Sequence, residues 1–200
     1  AAEARRDIRY WILILALGYW ALFNTGFTFH IISIFAQVGT GTQEALKIFL
    51  PISVIAVACR FLASWASDRI DLKHIVYLLT FFMIVSGAAL QLLGTGILIR
   101  YLIILSLGIT QGLFGVLNMV SWPKLFGLRY VGEVSGYAMA FVVAGSAVGP
   151  WLFSLSFKVT GGYRLAGLVS AIFCLVLLIL AAITRFSSAV RSKNTAQQRS

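Results

Sequence analysis

The stretch LKIFLPISVIAVACRFLASWA, residues 46–66, decides the fold class of this 200-residue chain. Arg60 is the only charged residue between Lys47, at the start of the stretch, and Asp68, just beyond it. At about 1.5 Å of rise per helical residue, Arg60 lies roughly 12 Å from Asp68 along the helix axis. A charge at that depth costs about 3 kcal/mol on insertion scales, so it normally faces a water-filled cavity or a partner. The stretch therefore predicts a membrane helix with one functional cation.

Five further apolar stretches accompany it. The predicted spans are residues 10–35, 45–67, 74–93, 97–122, 134–157 and 166–183. Each has about 18 residues or more, enough for a helix to cross about 30 Å of hydrocarbon. Because 60% of the residues are hydrophobic and only 11% are charged, a soluble domain of this length could not bury the apolar surface. The sequence predicts an all-α integral membrane protein with six transmembrane helices in residues 10–184, between an N-terminal segment 1–9 and a basic tail 185–200.

The basic residues predict the orientation in the bilayer. With a cytoplasmic N-terminus, eleven of the 16 lysine and arginine residues fall inside and four fall outside. The positive-inside rule then places both termini in the cytoplasm. The net charge of +10 is scattered over the loops, so it reflects membrane topology and not a nucleic-acid surface. We expect a multi-pass protein of the cytoplasmic or plasma membrane.

Three serines share a narrow stripe with Arg60 on the second span. Ser53, Ser64 and Ser67 lie at helical spacing around it, and the other faces are apolar. Guanidinium donors match the two oxygens of a carboxylate, so the stripe favours contact with an anionic substrate. The alternative is a structural arginine that caps carbonyl groups or pairs inside the bundle. All six acidic residues lie at span ends or in loops, so the sequence offers no deep carboxylate as a partner.

Polar residues on two other spans predict more of the same cavity. Tyr19 and His30 share a face of the first span, and Gln111 and Asn118 share a face of the fourth. All four are candidates for substrate contact. The alternative for His30 is a packing or interfacial histidine, and for the two amides it is hydrogen bonding to a neighbouring helix.

Glycines and a proline mark the fifth span. Gly145 and Gly149 share one face and Gly136 lies opposite, which predicts close packing on two sides of this helix. Pro150 removes a backbone donor and favours a kink. Such a kink suits a helix that moves between two states.

The connection after the second span resembles a known loop motif. Asp68, Arg69 and Lys73 match the pattern Gly-x-x-x-Asp-Arg-x-Gly-Arg-Lys of the major facilitator superfamily, with Ser64, Asp71 and Leu72 as departures. Gly136, Gly145, Gly149 and Pro150 resemble the antiporter-type glycine motif of that superfamily. The resemblance covers roughly residues 8–185. It implies that the six spans are helices 7 to 12 of a twelve-helix fold, and that Asp68, Arg69 and Lys73 stabilise one gate state.

Within that superfamily, the chain is similar to the oxalate:formate antiporter and monocarboxylate porter group. The segments FTFHIISIF, residues 27–35, and FGLRYVGEVSG, residues 126–136, carry the likeness. Arg60 matches the helix-8 arginine that contacts carboxylate in that group. Two departures follow: residues 134–157 hold no lysine to clamp a second carboxylate, and Ala56 stands where proton-coupled members have an aspartate.

These observations predict alternating-access transport of a small organic anion, most simply a monocarboxylate. Its partners would be the bilayer and a second six-helix half, either an N-terminal half or another copy. Two alternatives remain open: transport of an uncharged or cationic solute with a structural Arg60, and a truncated membrane protein that does not transport. The chain shows no metal-ligand cluster and no nucleophile–base pair, so we expect neither an enzyme nor a bound cofactor.

Overall fold

The computed structural model describes residues 6–184, and every regular element in that range is α-helical. The helices are α1 Ile8–Ala36, α2 Thr42–Leu46, α3 Phe49–Ser67, α4 Leu72–Gln91, α5 Ile97–Phe126, α6 Val131–Thr160 and α7 Arg164–Ile183. Six spans are long and apolar enough to cross a membrane, with α2 and α3 together forming one of them. The prediction of a multi-pass helical membrane protein is confirmed at this level. The predicted basic tail and residues 1–5 lie outside the described residues.

One predicted boundary is wrong. The fourth span was expected to end at Trp122, but α5 continues to Phe126 with Pro123 inside it. Trp122 is buried against Tyr10 of α1, with ring centroids 5.7 Å apart. Gly127 caps the end of α5: its φ of +75° turns the chain, and its backbone N–H donates to the Pro123 carbonyl at 3.0 Å.

The helices pack in pairs: α1 on α6, α3 on α5, and α4 on both α7 and α5. Glycines set the closest approaches. A Cβ on Gly145 would collide with the carbonyl oxygen of Gly18, and a Cβ on Gly149 would collide with that of Leu22. The predicted close packing of α6 is therefore present on this face, where the α1 and α6 backbones touch. The opposite face differs from the prediction, because a Cβ on Gly136 would meet nothing within 4 Å.

Glycines also allow close backbone approach between α4 and α7. A Cβ on Gly87 would lie 2.7 Å from the Gly167 carbonyl oxygen, and a Cβ on Gly167 would lie 2.6 Å from that of Gly87. In the α3–α5 pair, a Cβ on Gly112 would lie 2.7 Å from the carbonyl oxygen of Ala56. Small residues therefore bring all three pairs into backbone contact, while α3 and α6 keep most of their surface exposed.

Candidate functional site

Arg60 lies on an exposed flank of α3. It precedes the helix end at Ser67 by seven residues, or about 10 Å along the axis. Ile52, Ala56 and Ala63 form the buried face of α3 against α5, and Arg60 lies just beside that face. Within residues 6–184 its side chain forms no hydrogen bond and no ion pair. Among the described residues, the guanidinium therefore has no polar partner.

The Arg60 side chain lies across Gly115 of α5. A Cβ on Gly115 would fall 2.5 Å from Nη2, 2.6 Å from Nε and 2.7 Å from Cζ of Arg60. Gln111 precedes Gly115 by four residues and Asn118 follows it by three, so both lie on the same side of α5, one turn away. Both amides are half-buried, and neither makes a hydrogen bond within the described chain. The structure thus brings three of the five predicted site residues to one surface.

An aromatic pair that the sequence analysis did not single out closes this surface toward α1. Trp20 stacks on Phe114, the residue before Gly115, with centroids 3.8 Å apart and an angle of 16° between the rings. Asn24 lies one turn after Trp20, is half-buried, and has no hydrogen bond among the residues described. The sequence does show that Phe114 lies next to the polar face of the fourth span. It does not show that Trp20 stacks on Phe114, because that contact depends on the tertiary fold.

The other two predicted contact residues lie elsewhere. Tyr19 stacks on Phe173 of α7, with centroids 4.2 Å apart, and so points into the α1–α7 contact. The Nε2 atom of His30 lies 3.0 Å from the carbonyl oxygen of Pro150, and Nδ1 lies 3.2 Å from the hydroxyl of Tyr163. Tyr163 also donates to Ser33 at 2.9 Å. Neither residue reaches Arg60 in this arrangement.

The polar stripe of α3 is divided. Ser53 and Ser64 are exposed beside Arg60. Ser67 is buried and donates to the carbonyl of Ser64 at 2.8 Å, while its own carbonyl accepts from the ammonium of Lys124. The α3 C-terminus is therefore tied to α5, and the sequence analysis gave no sign of this contact.

The loop after α3 makes only local contacts among the described residues. The Arg69 guanidinium lies 4.2 Å from the ring centre of Trp65, one turn back on α3. Lys73 and Asp71 lie 3.8 Å apart, and Asp68 is exposed. Within the part of the chain that the structure describes, neither side chain of Asp68 and Arg69 pairs with another helix, and the stabilisation of a gate state by these residues and Lys73 stays a prediction.

An ion pair between Asp7 and Arg9 lies at the N-terminal end of α1. At the start of α1, Asp7 accepts from the backbone N–H of Arg9 at 2.9 Å and pairs with its guanidinium. The hydrogen bond from the Arg9 side chain holds the pKa of the Asp7 carboxyl below its ordinary value. In residues 6–184, no three His, Cys, Asp or Glu side chains lie together in a group that could hold a metal ion.

No known protein-family profile matches the chain, and no curated protein matches it.

Proposed function

We propose that this chain is one half of a secondary transporter for a small organic anion, and that Arg60 holds the carboxylate of the substrate. The observation that carries the proposal is the exposed guanidinium of Arg60, deep in an apolar helix and without a protein partner in residues 6–184. An unpaired cation is costly at that depth. An anionic substrate in a water-filled cavity supplies the missing partner.

The surroundings of Arg60 favour a monocarboxylate. A single guanidinium balances a single carboxylate, and Gln111 and Asn118 add neutral donors and acceptors one turn to each side. The stacked rings of Trp20 and Phe114 give the apolar remainder of the substrate a wall. Polar groups that fix orientation, within an otherwise apolar lining, are typical of small-molecule sites.

The order of helix pairing supports a transporter fold of the major facilitator type. Number the six spans in chain order: the first pairs with the fifth, the second with the fourth, and the third with the sixth. The third span also packs on the fourth. Exchanging the first three spans with the last three leaves the first three pairs unchanged and turns this fourth contact into that of the sixth span with the first, which is slighter in the structure. Because three is odd, the second triplet runs in the opposite sense to the first. Inverted three-helix repeats nested in six-helix halves are a feature of that superfamily.

The remaining wall of the site would come from a second six-helix body, either an N-terminal half or another copy of this chain. Ser53, Arg60 and Ser64 are exposed, so α3 offers its polar flank to such a partner. Substrate would bind between the two bodies near the membrane midplane. Asp68, Arg69 and Lys73 at the end of α3 would contact the second body in one gate state.

Charge compensation explains how binding would drive the transport cycle. Closing the cavity removes water from around Arg60, and an uncompensated buried charge is strongly unfavourable. A bound carboxylate cancels that cost, so the loaded carrier closes and reopens more readily than the empty one. Exchange of anion for anion is therefore faster than net movement. Pro150 in α6 would ease the helix motion.

Uptake into proteoliposomes tests the proposal. The protein, produced from its complete reading frame, is reconstituted into proteoliposomes. These vesicles contain unlabelled lactate, and labelled lactate is added outside. We expect uptake that formate and other monocarboxylates inhibit, and that glucose and tetraethylammonium leave unchanged. Uptake inhibited by the sugar or the cation, and not by monocarboxylates, would support a structural Arg60. Absence of any transport would support the non-transporting alternative.

A further inference from the structure

Gly115 is the place where α5 lies closest to the Arg60 guanidinium. An added Cβ at this position would lie 2.5–2.7 Å from three guanidinium atoms, Nη2, Nε and Cζ. Such distances are far inside van der Waals contact, so the guanidinium occupies the space that any other residue type would fill. Nη1 is farther from Gly115 than these three atoms.

We propose that Gly115 is the positioning residue for Arg60. Its missing side chain lets the guanidinium lie flat against α5, between the levels of Gln111 and Asn118. Nη1 is the guanidinium nitrogen that is not among the three atoms nearest to the added Cβ, so it is the nitrogen we assign to the substrate. The carboxylate of the substrate would then meet the free end of the guanidinium and reach the two amides at the same time. This inference rests on the proposed function and adds the residue that sets the geometry of its anion site.

The neighbouring glycines of α5 show why Gly115 is not simply a packing residue. A Cβ on Gly112 would lie 2.7 Å from the carbonyl oxygen of Ala56, and a Cβ on Gly108 would lie 3.0 Å from that of Ile52. Those contacts involve α3 backbone, which cannot move without separating the helices. The contacts at Gly115 involve only the flexible end of a side chain, which can swing away. A methyl group at 115 therefore moves the guanidinium while the helix pair stays in place.

Gly115→Ala tests this in the same exchange assay. We expect an unchanged midpoint of thermal unfolding, an unchanged maximal rate, and a KM for lactate raised about tenfold, since a displaced guanidinium loses part of its charge-assisted hydrogen bonding to the carboxylate. Gly132→Ala is the matched control, because a Cβ there meets nothing within 4 Å, and it should leave both KM and unfolding midpoint unchanged. Gly112→Ala should instead lower the unfolding midpoint.

Coupling to Arg60 separates positioning from a local structural effect. In an Arg60→Lys background, the compact ammonium replaces the planar guanidinium that packs against Gly115. Adding Gly115→Ala to this variant should therefore change KM less than twofold. A wild-type KM in Gly115→Ala would overturn the inference. The same tenfold effect in both backgrounds would also overturn it, because Gly115 would then act independently of Arg60. If Arg60→Gln itself keeps full transport, the proposed function fails first, and the two failures are thereby distinguished.

Discussion

His30 of α1 donates a hydrogen bond from Nε2 to the carbonyl oxygen of Pro150 on α6, over 3.0 Å. A carbonyl oxygen only accepts, so this contact places a proton on Nε2. Nδ1 meets the Tyr163 hydroxyl at the start of α7, which joins three helices through one imidazole. The ring also stacks on Phe153 of α6, with an angle of 8° between the planes. These contacts connect α1 to the proline of the helix that we expect to move.

His30→Ala should therefore act on stability and not on substrate affinity. Loss of the bond to Pro150 should cost about 0.6–2 kcal/mol, the range seen for interhelical hydrogen bonds in membranes. We expect a lower unfolding midpoint in detergent and an unchanged KM for anion exchange. A raised KM with an unchanged midpoint would place His30 in the substrate site, as its polar face on the first span first indicated.

The two amides on α5 should show the opposite behaviour. Gln111→Ala and Asn118→Ala remove no hydrogen bond that the described chain makes, so the unfolding midpoint should stay the same. Each should raise the KM by about tenfold, because a hydrogen bond to a charged group contributes roughly 1.5–3 kcal/mol. Thr110→Val is the control: Thr110 is buried and donates to the Leu107 carbonyl at 3.0 Å, so its loss should affect stability alone. If Gln111→Ala and Asn118→Ala had the same KM as Thr110→Val and the wild type, the two amides would not belong to the substrate site.

The α1–α6 crossing gives a prediction about packing. Gly149→Ala would drive a methyl group into the carbonyl oxygen of Leu22, which belongs to the backbone of α1. Overpacking of this kind costs about 1–3 kcal/mol, so the unfolding midpoint should fall. Gly132→Ala on the same helix meets open space and should leave the midpoint unchanged. Equal midpoints for the two variants would show that α1 and α6 do not touch at Gly149.

Acid should weaken the start of α1 through Asp7. Its pKa is lower in the folded protein than in the unfolded chain, so the ionised carboxyl adds stability above the unfolded pKa. That stability is lost as the pH falls through the folded pKa. We expect Asp7→Asn to lower the unfolding midpoint at neutral pH, and the difference from wild type to shrink on acidification. A difference that stays constant down to pH 3 would exclude the carboxylate as its cause.

Much of the architecture follows from hydrophobic length alone. Five of the six spans match their predicted positions to within a few residues, because each needs about 20 apolar residues to cross a bilayer. Trp122 shows the limit of this reasoning. An aromatic residue followed by proline is typical of a helix end at the interface, but here the ring fills a gap beside Tyr10 of α1, and α5 continues beyond it.

The residues of the candidate site could be named from the sequence, but the way the helices bring them together could not. Arg60, Gln111 and Asn118 are readable from the sequence, because polar residues are conspicuous in apolar spans. Which helices meet depends on contacts between residues far apart in the chain, so neither the Trp20–Phe114 stack nor the place of Gly115 under Arg60 was visible. The same reason explains why Tyr19 lies away from Arg60. Its helix face predicted contact with the cavity, but its ring stacks on Phe173 of α7.

Anion exchange by Arg60→Gln, measured beside wild type, tests the central claim most directly. The substitution keeps a polar side chain but removes the charge, and Arg60 has no partner in residues 6–184 to be left unsatisfied. We expect normal membrane insertion, an unfolding midpoint equal to or above that of wild type, and loss of labelled lactate exchange by at least about a hundredfold, with partial activity in Arg60→Lys. Full exchange by a correctly inserted Arg60→Gln protein would contradict the claim that Arg60 holds the substrate.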